Sequence, residues 1–100
     1  MTNNSLAKIT HENENFNVSG ELTFATVMDL WDQSLPYLAK DIDLKFDFAK
    51  VAVANSAALA LLLEWLKYAN QHGKRIAFYH LPEQLQSIAV VSGVASLIKM

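Results

Sequence analysis

The chain has 100 residues, of which 52% are hydrophobic and 18% are charged, and its formal net charge is -2. This length supports one compact domain over residues 1–100, because a second core would leave each half too small for burial to offset the entropy lost on folding. The absence of cysteine excludes disulfide bonds, thiolate metal sites and a cysteine nucleophile. The charge balance offers no basic surface to a nucleic-acid backbone, so nucleic acid is not an expected partner.

Neither the amino terminus nor the most apolar stretch predicts a membrane or secretory segment. No basic region leads into an apolar run near residue 1, so no secretory signal is predicted. Residues 51–63 are largely apolar, but the run is well short of the roughly 20 residues that cross a bilayer. We expect a soluble domain, with the cytoplasm as its default location.

The first elements in chain order are a predicted β-hairpin and a helix. Residues 6–11 and 16–19 are predicted strands on either side of a polar turn, and Gly20 is predicted to break the second strand. Thr23 can cap the helix, and Pro36 is expected to kink or end it. The predicted buried face of this helix consists of Phe24, Val27, Met28, Trp31, Leu35 and Leu38.

The middle of the chain predicts a strand followed by a long helix. Residues 42–48 alternate between apolar and charged side chains, which is typical of a strand with one buried face. A connector over residues 49–54 leads to Asn55 and Ser56, either of which can cap a helix that extends to about His72 and stops at Gly73.

The last predicted elements are a strand over residues 75–79 and a helix that Pro82 opens and Gly93 ends. The predicted order is therefore β-β-α-β-α-β-α. Strands that alternate with helices favour an α/β domain with a mixed, mostly parallel sheet and helices packed on it. The opening hairpin would supply the antiparallel part, and the other face of the sheet can stay partly open.

Residue patterns for catalysis or metal binding do not appear. No two histidines are separated by the four residues that place a ligand pair on one helical face, and no serine lies in a Gly-x-Ser-x-Gly motif. No glycine-rich nucleotide loop is present. Asp41, Asp43 and Asp47 fit the solvated face of a strand. We therefore predict no metal, no cofactor and no enzymatic activity.

The predicted helix after Ser56 has more apolar surface than one packing face requires. One stripe comprises Leu59, Leu62, Leu63, Leu66 and Ala69, and a second comprises Ala58, Leu61, Trp65, Tyr68 and His72. The second stripe needs another neighbour, which is either a helix of the same domain or a second protein. In the latter case Trp65 and Tyr68 are the residue types enriched at interface hot spots.

The start of the same helix is a second candidate site. Backbone N–H groups are unpaired there and the helix dipole is positive, so Ser56 lies where an anion or a partner's acceptor would be favoured. Taken alone, a serine after a connector favours an ordinary capping role. Ala57 and Ala58 are small and would leave the tip open to close approach.

Three segments resemble the STAS domain family, which includes anti-sigma-factor antagonists and sulphate-transporter tails. They are Gly20-Glu21-Leu22, Phe46-Asp47-Phe48 and the run VANSAALALLL at 53–63, and the resemblance extends over about residues 6–93. The family signature is an acidic residue, a Ser or Thr, then small residues. Asn55, Ser56, Ala57 and Ala58 occupy those places, so Ser56 corresponds to the hydroxyl position.

Within the family, a stand-alone domain with this apolar helix is similar to the small subunit of Mla-type phospholipid-transport ABC systems. The resemblance implies a non-catalytic, cytoplasmic subunit that sits on the transporter's ATPase and supports lipid movement at the bacterial inner membrane. It would meet the membrane only through that complex. Asn55 in place of the acidic residue, and alanines in place of glycine, favour constitutive docking over kinase-dependent switching.

Two functional hypotheses follow from the residues and the resemblance. In the first, the domain docks on an ABC-transporter ATPase through Asn55, Ser56, Ala57, Ala58, Leu61 and Trp65. In the alternative, it is an anti-sigma factor antagonist whose partner is an anti-sigma factor kinase and whose phosphoacceptor is Ser56. A phosphate there would add about two negative charges at a helix start and could eject a partner.

Overall fold

A four-stranded sheet carries three helices on one face in the computed structural model, which describes residues 7–13 and 15–98. The elements are β1 (Ala7–Glu12), β2 (Asn15–Leu22), α1 (Val27–Leu38), β3 (Asp43–Ala54), α2 (Ser56–Gln71), β4 (Arg75–Tyr79) and α3 (Glu83–Val91). The predicted order of elements and the α/β class are confirmed. Buried and exposed residues alternate along the strands, which places the core between the sheet and the helices.

The strand order is β1-β2-β3-β4, so strands that follow one another along the chain also lie side by side in the sheet. β1 and β2 form the predicted antiparallel hairpin, with Ala7 opposite Gly20 and Glu12 opposite Asn15. The pairs β2–β3 and β3–β4 are parallel. The mixed, mostly parallel sheet is therefore confirmed, with α1 and α2 as the crossovers between parallel strands.

The break predicted at Gly20 is wrong, because β2 continues to Leu22. Gly20 has a φ of 94°, and the register of β2 against β3 shifts immediately after it. A glycine with positive φ at such an irregularity lets the strand bend without ending. The extra residues extend β2 alongside β3.

The connector predicted over residues 49–54 is also strand, and β3 extends without interruption to Ala54. β4 pairs only with the first part of β3, from Asp43 to Asp47. Beyond that point Asp47 Oδ1 accepts a hydrogen bond from the N–H of Ala49 at 2.8 Å. The second half of β3 is mostly exposed and lacks clear alternation, which explains why the sequence pattern resembled a loop.

Helix α1 buries only part of the face predicted for it: Leu38 is fully buried, and Val27 and Trp31 are partly buried against the core. Its fully buried residues are Leu30, Ser34 and Leu38, one per helical turn, whereas Phe24 and Met28 are 75% and 72% exposed. The N-cap is Thr26, not Thr23, and the Thr26 hydroxyl donates to the carbonyl of Glu21 at 2.6 Å.

Pro36 does not end α1, since the helix continues for two more residues to Leu38. Proline lacks the N–H that would bond one turn back, so the cost is one helical hydrogen bond. Leu38 is fully buried, and its packing holds the last turn in place.

The core is organised around three stacked aromatic rings that connect the sheet to α2. Phe16 stacks on Phe46 with ring centroids 4.5 Å apart, and Phe46 stacks on Trp65 at 4.1 Å. The indole N–H of Trp65 donates to Ser34 Oγ at 3.0 Å, and Ser34 in turn donates to the carbonyl of Trp31 at 2.7 Å. A buried indole thereby keeps its hydrogen bond, as such groups require.

The end of the chain packs back on the domain. In α3 Leu85 and Ala89 are buried, while Ser92 at its C-cap is exposed. Ile98 is 3% exposed and Leu97 is 54% exposed. Met100 lies outside the described residues.

None of the helices in the described chain is long and apolar enough to cross a lipid bilayer. Within residues 7–13 and 15–98, no three metal-ligating side chains come together.

Replacing Ser34 by alanine should destabilise the fold. The Ser34→Ala variant leaves the buried indole N–H of Trp65 without an acceptor, which costs about 1–3 kcal/mol. Urea denaturation followed by tryptophan fluorescence measures the change. The matched control is Ser87→Ala, since Ser87 is exposed on α3 and should shift the free energy of unfolding by less than about 0.5 kcal/mol. Equal effects for the two variants would contradict the assigned role of Ser34.

Removing the Arg75 guanidinium should raise the pKa of the Asp43 carboxyl. Hydrogen bonding from Arg75, aided by its charge and that of Lys45, holds the pKa of Asp43 below its usual value. A depressed carboxyl pKa stabilises the fold above the ordinary pKa, and that contribution is lost as the pH falls through the folded value. An NMR titration of the Asp43 side-chain carbon in Arg75→Gln should show the rise, and Lys45→Gln should show a smaller one. An unchanged midpoint in Arg75→Gln would be inconsistent with this pairing.

Candidate functional site

The candidate site lies where β3 ends and α2 begins. Asn55 is the N-cap of α2, and its side-chain oxygen accepts a hydrogen bond from the N–H of Ala57 at 2.8 Å. Its own backbone N–H donates to the carbonyl of Leu22 at 3.1 Å, which ties the turn to the end of β2. The start of α2 is therefore held in place by the sheet.

Ser56 is the first residue of α2 and is exposed. The prediction left open whether Asn55 or Ser56 caps the helix, and the structure assigns the cap to Asn55. Among the described residues, the Ser56 hydroxyl has no hydrogen-bond partner. Since the cap does not need this hydroxyl, it is available to another molecule.

Four of the six predicted docking residues are buried by the chain itself. Ala57, Ala58, Leu61 and Trp65 are each at most 4% exposed. Their side chains pack in the domain, and Leu61 also lines an open groove between α1 and α2. Contact of these residues with a partner stays a prediction. Asn55 is half-buried, and Ser56 alone of the six is exposed.

Trp65, in the second apolar stripe of α2, is covered by α1 through its buried contact with Ser34. Of the two neighbours that the sequence left open, the helix of the same domain is therefore the one observed. Tyr68 in this stripe is half-buried, with its ring stacked on His72 at 4.0 Å. It is not an exposed interface anchor.

A groove between α1 and α2 leaves an apolar surface open beside the start of these helices. Its volume is about 330 Å³, and it is lined by Val27, Met28, Trp31, Ala60, Leu61 and Glu64. Leu61 is buried and forms its floor, while Met28 stands at its rim. Ala60 follows Ser56 by one helical turn, so Ser56 and the groove share one side of α2.

Sequence reasoning missed this groove because it assigned Phe24 and Met28 to the core. The sequence did contain a signal for it. Like α2, α1 has more apolar residues at helical spacing than one buried face can hold. A second stripe, Leu30 to Leu38, is the one that the core uses. The stripe with Met28 is consequently left at the surface.

The described residues contain no arrangement suited to nucleophilic catalysis. Each histidine has another partner: His11 Nε2 lies 2.6 Å from Asp41, His80 Nδ1 lies 3.1 Å from Asp47, and His72 contacts the carbonyl of Tyr68. Within residues 7–13 and 15–98, no serine is hydrogen-bonded to a histidine, so no serine there has an adjacent base.

A family model and two solved structures relate this chain to known proteins. A family model described as "Mlab, STAS domain" matches residues 7–99. No curated protein sequence matches the chain.

Two of the solved structures that share the fold are forms of SpoIIAA. One is the unphosphorylated form of the anti-sigma factor antagonist SpoIIAA, with a TM-score of 0.70 and 13% identity over 90% of this chain and 83% of that one. The other is the phosphorylated form of the Bacillus cell fate determinant SpoIIAA, with a TM-score of 0.67 and 13% identity over 90% of this chain and 86% of that one. The chain belongs to the STAS domain family, and within it is most similar to MlaB.

Proposed function

We propose that this protein is a non-catalytic STAS subunit that binds the ATPase of an Mla-type phospholipid-transport ABC transporter. In this role it supports the assembly and activity of the transporter, which maintains lipid asymmetry of the outer membrane. Its place is the cytoplasmic side of the bacterial inner membrane, held there through the complex. The observation that carries the proposal is an exposed Ser56, whose hydroxyl does not cap α2, on the same side of the helix as an open apolar groove. The chain that carries it matches the MlaB-type family model.

Exposed apolar side chains at and just before the start of α1 support a protein partner. Phe24 and Met28 are each more than two-thirds exposed, and large contiguous apolar patches on a soluble domain mark interaction sites. Met28 and Trp31 also belong to the residue types that are enriched in interfaces. We call the surface formed by Ser56, Phe24, Met28 and the groove the docking surface.

Ser56 supplies the polar part of the docking surface. Its hydroxyl can donate to or accept from a partner, and the N-terminal end of α2 favours an acceptor or a negative group. Because Asn55 caps the helix without a charge, this end keeps its positive dipole. A partner that presents carbonyl or carboxylate oxygens is therefore favoured over one that presents a cation at this point.

Substitutions in the docking surface should weaken binding to the purified ATPase subunit. Ser56→Arg places a bulky cation at a positive helix end, and Met28→Ala removes apolar contact. We expect each to raise the dissociation constant about tenfold, the scale of hot-spot losses, as measured by titration calorimetry. The matched controls are Ser92→Arg and Leu97→Ala, exposed positions at the end of α3 and in the tail. Unchanged affinity in folded Ser56→Arg and Met28→Ala would rule out this surface.

A second candidate function is that of an anti-sigma factor antagonist regulated by phosphorylation of Ser56. The observation that favours it is the exposed Ser56 hydroxyl, free of hydrogen bonds within the described residues, at the family's acceptor position. A phosphate there would add about two negative charges beside the positive end of α2.

Intact-mass measurement of the protein isolated from its own cells separates the two functions. Constitutive docking predicts the unmodified mass, because nothing in that role requires a charge at Ser56. A mass increase of one phosphate that disappears in Ser56→Ala would instead support the antagonist. A gene neighbourhood with a serine kinase would agree with that outcome.

A further inference from the structure

The groove between α1 and α2 is apolar along most of its length and acidic at one end. Its lining residues come from positions 27–31 of α1 and 60–64 of α2, and Glu64 is the charged member. Both helices connect parallel strands of one sheet, so they run in the same direction. Their carboxyl-terminal halves therefore flank the same end of the groove.

Helical spacing places a second carboxylate, Asp32, toward the same end of the groove, although Asp32 is not among the residues that line it. Asp32 follows Met28 by four residues on α1, just as Glu64 follows Ala60 on α2, so each carboxylate lies one turn beyond a groove residue on the same helical face. Asp32 and Glu64 are both exposed. Two helices thus each contribute one negative charge to one end of an apolar groove.

Neither carboxylate is neutralised within the described part of the chain. The ion pairs found there involve Asp41, Asp43 and Asp47 instead. Asp29, the other acid of α1, differs because it accepts a hydrogen bond from Gln33 Nε2 at 2.7 Å. The basic residue nearest in sequence, Lys67, lies three positions after Glu64 but forms no ion pair with it.

The walls of the groove determine which backbone conformation suits an occupant. Both walls are helices, whose backbone N–H and C=O groups are already used within each helix. An extended segment laid between them would find no backbone partners, whereas a helix satisfies its own backbone and can present one apolar face. The groove therefore favours a helix over a strand.

We infer that the docking surface accepts an amphipathic helix of the partner, whose apolar side chain enters the groove and whose following turn carries a basic residue. The basic residue lies between Asp32 and Glu64. This inference rests on the proposed function for the location of the docking surface, and it adds the chemistry of the partner segment. Charges of this kind at a rim increase specificity and association rate more than affinity.

Three synthetic peptides test the inference without the ATPase. Each is an alanine-rich helix of about 15 residues, long enough for measurable helicity, with a pair of leucines four positions apart. One turn later the peptides carry Arg, Gln or Glu, and they are otherwise identical. The two tryptophan indole N–H signals in a ¹⁵N-resolved NMR spectrum report binding, because Trp31 lines the groove whereas Trp65 is buried and bonded to Ser34.

We expect the Arg peptide to shift the Trp31 indole signal and leave the Trp65 signal in place, with Trp31→Phe providing the assignment. The Gln peptide should bind about threefold to tenfold more weakly, as expected for the loss of two exposed ion pairs, and the Glu peptide more weakly still. In the double variant Asp32→Asn/Glu64→Gln the three peptides should bind alike. Equal binding of the three peptides to the native protein, or no shift at Trp31 with any peptide, would overturn the inference.

The ATPase measurement separates this inference from the proposed function. If the peptides are discriminated but the native protein does not bind the ATPase, the groove chemistry stands and the proposed partner is wrong. The opposite outcome has two parts. The ATPase binds, and Asp32→Asn/Glu64→Gln changes neither its affinity nor the salt dependence of its association rate, while the native protein binds the three peptides alike. In that case the function stands and the groove chemistry is wrong.

Discussion

The indole of Trp65 is buried and hydrogen-bonded at the same time. Its ring lies on Phe46 of the sheet while its N–H reaches Ser34 of α1. An aromatic side chain with a polar group has a large apolar area to hide and one donor that cannot be left unpaired. Satisfying both requirements joins the sheet, α1 and α2 in one arrangement, and thereby sets the spacing between the two helices.

That spacing decides which apolar residues become surface. With Ser34 turned toward Trp65, α1 is rotated so that Leu30 and Leu38 also enter the core. Met28, on another face of the same helix, then stays outside and forms the rim of the groove beside Ser56. The docking surface is thus a consequence of core packing, because a helix that is apolar on two sides can bury only one of them against the sheet.

The beginning of α2 shows a similar division of roles between neighbouring residues. Asn55 caps the helix with its side-chain oxygen, and its backbone N–H bonds to the end of β2. The Ser56 hydroxyl is therefore not needed to cap the helix. A neutral cap also leaves the positive end of the helix dipole uncompensated. The same short segment therefore combines a rigid position with an unused hydroxyl, which suits a binding module as well as it suits a site of modification.

The sequence by itself determined the order of the elements, the mixed sheet and the helix from Ser56, because these depend on local periodicity and capping. It did not determine the length of β3, since an exposed half-strand carries no alternation, or the continuation of β2 through Gly20. It also placed Trp65 and Leu61 at a partner interface and Met28 in the core, whereas Trp65 and Leu61 are buried in the domain and Met28 is exposed. A helix with two apolar stripes can bury either stripe equally well as far as its own sequence is concerned. Only the position of Ser34 opposite the indole of Trp65 decides which stripe is buried.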